Sequence, residues 1–236
     1  MKFHIGTSGY GYKEWQGMFY PEKISPHDML RFYAEHLGAV EINNTFYRMP
    51  TAEVLEAWTR QVPVSFVFAF KAPRIITHLK RLRNVGSELQ YLFRTLSVLH
   101  GKQGPVLFQL PDSFHADTET LGNFLDLIPD QTRCAFEFRH PSWTNNEVLA
   151  MLSKKACSFC MTDTDEHPAG DIVRTASWGY LRLRRPDYTD TDLTKWLQQI
   201  RLQKWESVFV FFKHEDSAKG PELAARFEKL ANGSGK

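Results

Sequence analysis

Long apolar runs, cysteine and an excess of either charge are what this sequence has little of, and each shortage excludes something. No apolar stretch approaches the ~18 residues of a membrane span. The opening Met1-Lys2-Phe3-His4-Ile5-Gly6 carries no signal-peptide core, so neither membrane insertion nor secretion is expected. Three cysteines, Cys134, Cys157 and Cys160, in 236 residues are too few for a disulfide scaffold and predict free thiols in a reducing compartment, the cytoplasm. Twenty-nine Lys and Arg against 27 Asp and Glu leave a formal net charge of +2, too little to coat nucleic acid or an anionic membrane by bulk charge. Any anion site must be local. What the chain has in plenty is core: 42% of its residues are apolar and 14% aromatic. That excludes disordered and collagen-like structure and suffices for a large buried interior.

Short β-rich runs recur at a steady interval: Phe3–Thr7, Ala39–Asn43, Phe66–Lys71, Val106–Leu110, Cys134–Arg139, Ser158–Asp163, Gly179–Arg184 and Val208–Lys213. Segments with helical spacing lie between them, such as 28–37 and 192–200, and Gly38, Gly101 and Gly104 stand where helices stop. Strand-helix alternation through the whole chain implies parallel strands, and eight such units predict an α/β fold, a single (β/α)8 TIM-type barrel over residues 1–231. The polar 232–236 reads as a tail. The alternative, a doubly wound open sheet, needs a glycine-rich phosphate turn after the first strand, and Gly6-Thr7-Ser8-Gly9-Tyr10-Gly11-Tyr12 does not match it. Cys157 and Cys160 have C-x-x-C spacing, but three apart on a strand they face opposite sides and read as structural thiols.

Alternate residues of a barrel strand face the helices or the interior, and the phenylalanines decide which. In Phe66-Val67-Phe68-Ala69-Phe70-Lys71 the rings take the helix side and leave Lys71 inside. The same reading sends Glu137 and Arg139 inward, with Tyr180, Arg182 and Arg184, Glu41 and Asn43, Gln109 and Asp163; Lys213 or His214 on the last strand adds to this set. Buried charges cost several kcal/mol unless paired, and barrel enzymes carry their sites at the C-terminal strand ends. The bland reading is a set of structural ion pairs, Glu137–Arg139 with Glu41–Lys71 or Glu41–Arg182. The functional reading is a mouth where cations outnumber carboxylates and bind a small anionic or phosphorylated ligand. In it Glu137 or Asp163 acts as general acid or base, Lys71 takes part in the chemistry, and His140 or His78 shuttles a proton. Tyr10, Tyr12, Trp15, Phe19, Tyr20, Phe46, Tyr47 and Trp143 follow strand ends and offer stacking faces to the same ligand.

Five ordered motifs also carry a resemblance: Ile5-Gly6-Thr7-Ser8-Gly9-Tyr10 with Tyr12, Trp15 and Phe19-Tyr20-Pro21; Val40-Glu41-Ile42-Asn43-Asn44-Thr45-Phe46-Tyr47-Arg48-Met49-Pro50; Phe70-Lys71-Ala72-Pro73-Arg74 through His78; Leu107-Phe108-Gln109-Leu110-Pro111; and Phe136-Glu137-Phe138-Arg139-His140-Pro141-Ser142-Trp143. Over nearly its whole length the chain resembles the YecE-like proteins, domain of unknown function seventy-two, which implies a TIM-type barrel. By comparison with endonuclease-IV-like barrels the resemblance also implies nucleic acid as a partner. Many relatives end their seventh strand Arg-Leu-His-Gly and their eighth with asparagines. Here Arg182-Leu183-Arg184-Arg185 and Lys213-His214-Glu215-Asp216 stand instead, which makes this mouth more basic.

Two further readings stay open. One is a non-catalytic nucleotide or nucleic-acid binder using the same mouth. The other is a metal-dependent nuclease, for which Glu41, Glu137, Asp163, His78, His140 and His214 supply at most one site, with Lys71 and Arg139 opposing a cation. The residues name no cofactor, and no stretch reads as a dimerisation helix or a repeat.

Overall fold

A computed structural model describes residues 1–213 and 218–233. Eight strands, β1 (Lys2–Ser8), β2 (Ala39–Ile42), β3 (Val67–Lys71), β4 (Gln103–Leu110), β5 (Cys134–Phe138), β6 (Ser158–Asp163), β7 (Trp178–Leu183) and β8 (Ser207–Phe212), follow one another around a closed barrel. Every neighbouring pair is parallel, including β1 with β8. Closure removes the sheet edges, so each strand is buried on two faces and reads as a nearly continuous apolar run.

Among the described residues seven α-helices sit outside: α1 (Met29–His36), α2 (Ala52–Gln61), α3 (Gly86–Leu96), α4 (Thr118–Asp126), α5 (Asn146–Lys154), α6 (Asp190–Leu202) and α7 (Lys219–Gly233). Their starts follow local chemistry: Asp117 and Asn145 cap α4 and α5, and Thr189 with Asp192 forms a capping box on α6. The eightfold alternation breaks once. Residues 164–177, between β6 and β7, contain no helix, in keeping with the run Asp165-Glu166-His167-Pro168-Ala169-Gly170, which has no apolar stripe.

Two other expectations shift. Gly104 does not end a helix but lies in β4, where a Cβ would meet Val67 and the Phe68 carbonyl at 2.7 and 2.9 Å, beside a register shift between Phe68 and Phe70. Asn232 and Gly233 continue α7 rather than starting a tail. His214, Glu215 and Asp216 lie outside the described residues.

Two apolar clusters fill the molecule. The larger packs the outer strand faces, Phe66, Phe68 and Phe70 among them, against the helices; the smaller fills the barrel and includes Val67, Ala69, Ala135, Cys160 and Phe211. The phenylalanine rule for strand sides therefore holds on β3, β4 and β5, and it fails on β8, where Phe209 and Phe211 face the interior. Cys157 belongs to the outer cluster and Cys160 to the inner one, and all three cysteines are free and buried.

Candidate functional site

Above its apolar lower half the barrel interior becomes ionic. Arg182, in β7, is 2% exposed and bridges two buried carboxylates: Nη1 donates to Glu137 at 2.7 Å and Nη2 to Glu41 at 2.9 Å. The other carboxylate lone pairs are also taken. Ser8 and Tyr180 donate to Glu41 at 2.6 and 2.7 Å, and Gln109 donates to Glu137 at 2.6 Å. Burial pushes the Glu137 carboxyl up, but Arg182, Gln109 and Arg139 together outweigh it and bring it down to about 2. Glu41 is likewise held below the usual range, against burial, by Arg182, Ser8 and Tyr180. Both remain carboxylates at neutral pH, and burial works against the Arg182 charge while those two anions outweigh it and hold the guanidinium charged.

Three further cations stand at the strand ends around this frame. Lys71 is the last residue of β3, and Arg139 and Arg184 follow β5 and β7. Arg139 is 46% exposed and its Nε comes only within 3.8 Å of Glu137. Lys71 and Arg184 are half-buried, and among the described residues neither side chain makes a hydrogen bond or ion pair. The Lys71 ammonium instead lies 4.2 Å above the Phe46 ring. Burial and the Arg182 charge bring the Lys71 amine down to about 8, Glu137 and Glu41 only partly opposing them. Arg184 is lowered by the same two causes.

The loop after β2 is fastened to this point. The Thr45 hydroxyl donates to the Lys71 and Ile42 carbonyls, at 2.6 and 3.0 Å, in the short turn Asn44–Phe46 that sets Phe46 over the amine. Phe46 meets Tyr47, 81% exposed, and His78, each edge-on, at 5.0 and 4.9 Å between ring centres. His78 lies in a π-helical turn, Ile75–Leu79. Partial burial, Lys71 and Arg139 lower its imidazole to about 4, so at neutral pH it is uncharged. Next come Arg81, Leu82 and Asn84 at φ of 46, 67 and 52°, a strained path for side chains with a Cβ, with Leu82 anchored in the core.

The structure thus brings together Glu41, Lys71, Gln109, Glu137, Arg139, Arg182 and Arg184, with His78 and Tyr47 on the rim. Asn43 follows β2, its Oδ1 buried without a hydrogen-bond partner among the described residues. Several expected residues lie elsewhere. Asp163 pairs with Leu183 rather than Arg182 in the β6–β7 register, so it points out of the barrel, since Cys160 and Thr162 hold the inward positions. There it accepts from Arg185 and Tyr188, each at 2.9 Å, and from the Ala169 amide at 3.0 Å. His140 stacks on His115 at 3.8 Å and bonds Ser142, which commits it to the loop surface. Trp143 is buried, donates to the Phe114 carbonyl at 2.6 Å and stacks on Phe138. Trp15 is buried against Tyr12, Phe19 and Tyr20, and Tyr10 packs on Tyr33 and Trp58. For these rings loop packing wins because a large aromatic surface gains more from burial than from facing water. Ser8 is the member that the expected set lacks, and strand parity finds it. Tyr180, expected inward, donates to Glu41, and Phe46, expected as a stacking face, is set over Lys71 by the turn that Thr45 holds.

Among the described residues no group of three or more His, Cys, Asp or Glu side chains is arranged to hold a metal ion, and no helix is long and apolar enough to cross a membrane. The profile of the family described as "Protein of unknown function DUF72" matches residues 4–236. The chain belongs to this family. It is 34% identical to the UPF0759 protein YecE of Escherichia coli K12 over 115 residues, 48% of this chain and 42% of that one. To the UPF0759 protein YunF of Bacillus subtilis 168 it is 30% identical over 182 residues, 72% of this chain and 63% of the relative. The matches therefore span less than two thirds of these curated DUF72 relatives. A crystal structure of a DUF72 protein from Thermotoga maritima superposes with a TM-score of 0.86 at 22% identity, covering 98% of this chain and 100% of that one, a likeness of fold.

Proposed function

We propose that the mouth of this DUF72 barrel binds a small anionic ligand, one that carries a phosphate, through Lys71, Arg139 and Arg184. One observation carries the reading: three cations stand at C-terminal strand ends with their donors uncommitted, around a frame whose own charges are already paired. Two carboxylates, Glu41 and Glu137, face four cations, Arg182, Lys71, Arg139 and Arg184, which leaves a surplus of positive charge. Holding cations partly out of water without partners is costly, and a phosphate offers both the charge and the acceptors. The arginine forks suit its oxygens and Lys71 adds a point charge. Lys71 is also the proton-exchanging group that such a ligand meets near neutral pH, at about 8. Glu137, at about 2 and bonded on both oxygens, supports the frame instead.

The test is a thermal-shift series on the wild-type chain, Lys71→Met and Arg184→Met with inorganic phosphate, sugar phosphates, nucleotides, neutral sugars and short single-stranded oligonucleotides. A ligand bound only by the folded state at a hundred times its Kd stabilises by about 2.7 kcal/mol. Phosphorylated compounds should raise the wild-type midpoint, and neutral sugars should not. Lys71→Met should lose the shift while its ligand-free midpoint stays level or rises, because a half-buried charge has been removed. No shift with any anion sinks the reading. A shift with oligonucleotides alone replaces the small ligand by a single nucleic-acid strand.

A further inference from the structure

We propose that Lys71 is a nucleophile that forms an imine with the ligand's carbonyl group, so that the ligand is a phosphorylated aldehyde or ketone; this rests on the anion-binding reading of the mouth. Three other lysines give a contrast. Lys80 is held by Glu88 and the Asn84 carbonyl, Lys155 by Asp126, and Lys219 by Glu222 and Asp187. Each of those ammonium groups has a carboxylate to stabilise its charge. Among the described residues Lys71 has none, because the two carboxylates nearby are committed to Arg182, Ser8, Tyr180 and Gln109. It stands among cations, half-buried, with one side against the Phe46 ring.

A lysine that is desolvated and placed next to other cations sheds its proton and becomes a nucleophile. With the amine brought down to about 8, its neutral fraction near pH 7.5 is about a hundredfold that of an ordinary lysine. An amine meant only to clamp an anion works best fully charged, so lowering it serves attack rather than binding. Arg139 and Arg184 stand at the ends of β5 and β7 to take the phosphate, which turns capture of the carbonyl into an intramolecular step.

The step balances without an added oxidant or reductant. The ammonium gives a proton to solvent, and the Nζ lone pair forms a C–N bond to the carbonyl carbon. The carbonyl oxygen takes protons and leaves as water. What remains is an iminium on Nζ, again a cation that the Phe46 ring favours. In sum, ammonium plus carbonyl gives iminium plus water.

The probe is glyceraldehyde 3-phosphate with cyanoborohydride, which reduces an iminium to a stable secondary amine, followed by peptide mapping; glyceraldehyde without the phosphate is the second arm. Labelling should concentrate on Lys71, about tenfold or more over the other lysines. It should depend on the phosphate, be suppressed by inorganic phosphate and vanish in Lys71→Arg. Because wild-type mapping reports on Lys71 directly, the result does not depend on a variant folding. Labelling spread evenly over surface lysines, or absent from Lys71, overturns the imine. If inorganic phosphate still raises the midpoint in that case, the anion site survives without it. Equal labelling of Lys71 by both aldehydes, with no stabilisation by phosphate, overturns the ligand class and the anion site together.

Discussion

Two carboxylate–arginine centres lie on opposite faces of the barrel wall, and the comparison between them separates structure from function. On the outer face Asp163 meets one arginine, Arg185, together with Tyr188 and the Ala169 amide. One negative charge faces one positive charge, every acceptor is used, and the result ties the helix-free β6–β7 connection to the segment after β7. The inner centre begins the same way, with Arg182 between Glu41 and Glu137, but three more cations are added with no further carboxylate to receive them. Internal ion pairs alone explain the outer centre completely. They explain the inner frame, to which Arg139 adds a looser contact with Glu137 at 3.8 Å, and among the described residues they leave Lys71 and Arg184 without an ionic partner. The lesson is that burial of a charge is weak evidence of function, whereas burial of a charge that nothing in the protein pairs is stronger.

Breaking each centre at its arginine gives the largest expected effect. Arg182→Met leaves two fully buried carboxylates facing each other and should cost about 3–5 kcal/mol, read as a lower midpoint in urea unfolding. Arg185→Met should cost about 1–2 kcal/mol, since Asp163 keeps Tyr188 and the Ala169 amide and Arg185 is partly solvated. Equal losses would mean that the two centres are alike and that the inner one has no special standing.

Titration sharpens the same contrast. Glu137 has a folded value of about 2, below the unfolded 4.5, so its contribution is complete above the unfolded value and is lost as pH falls from about 5 toward 2. Its size is about 3 kcal/mol. Lys71 is also lowered, to about 8 from 10.5. There the unfolded chain binds the extra proton, so its contribution to stability rises as pH climbs from about 8 to 10.5. Urea midpoints across this range should fall at the acid end, less steeply in Glu137→Gln. At the alkaline end the buried thiols and phenols, pushed up by burial, lower the stability of every variant, so the amine is read from a difference: wild type should gain on Lys71→Met as pH climbs from about 8 to 10.5, and Arg185→Met should follow the wild-type profile. A difference between wild type and Lys71→Met that does not change with pH would show that the amine is not the titrating group.

The fold was largely legible because it depends on short-range rules. Phenylalanines alternating with small or ionic residues marked strands and their sides, and the interval between them marked the closed barrel. The inner frame was legible for the same reason, as Glu41, Gln109, Glu137, Arg182 and Lys71 all obey strand parity. Reading failed at β6, where Phe159-Cys160-Met161-Thr162-Asp163 alternates cysteine and threonine with phenylalanine and methionine. The most polar residue was sent inward, although Arg185 and Tyr188 wait for it outside. It failed again for His140, Trp15 and Trp143, whose surroundings come from loops distant in sequence, such as His115 and Phe114. Phe46 is legible only as one of several rings after strand ends, because a turn fastened by Thr45, rather than any period, brings it over Lys71.

A tyrosine beside each centre supplies the smallest and most discriminating contrast. Tyr188 is buried and its hydroxyl donates to Asp163, so Tyr188→Phe should cost about 1 kcal/mol of stability by removing that bond. Tyr47 is 81% exposed and touches only the edge of Phe46 among aromatic rings. Tyr47→Ala should change stability by less than about 0.5 kcal/mol. Its effect should appear in binding, because an exposed ring next to a cationic mouth offers a stacking face, worth about 1–3 kcal/mol for a nucleobase. Calorimetric titrations of Tyr47→Ala should therefore show weaker binding of a nucleoside monophosphate with inorganic phosphate unaffected. Equal weakening of both would assign Tyr47 to the shape of the mouth. No weakening of either would mean that the ligand lacks a flat group, and would favour a simple aliphatic phosphate at Lys71.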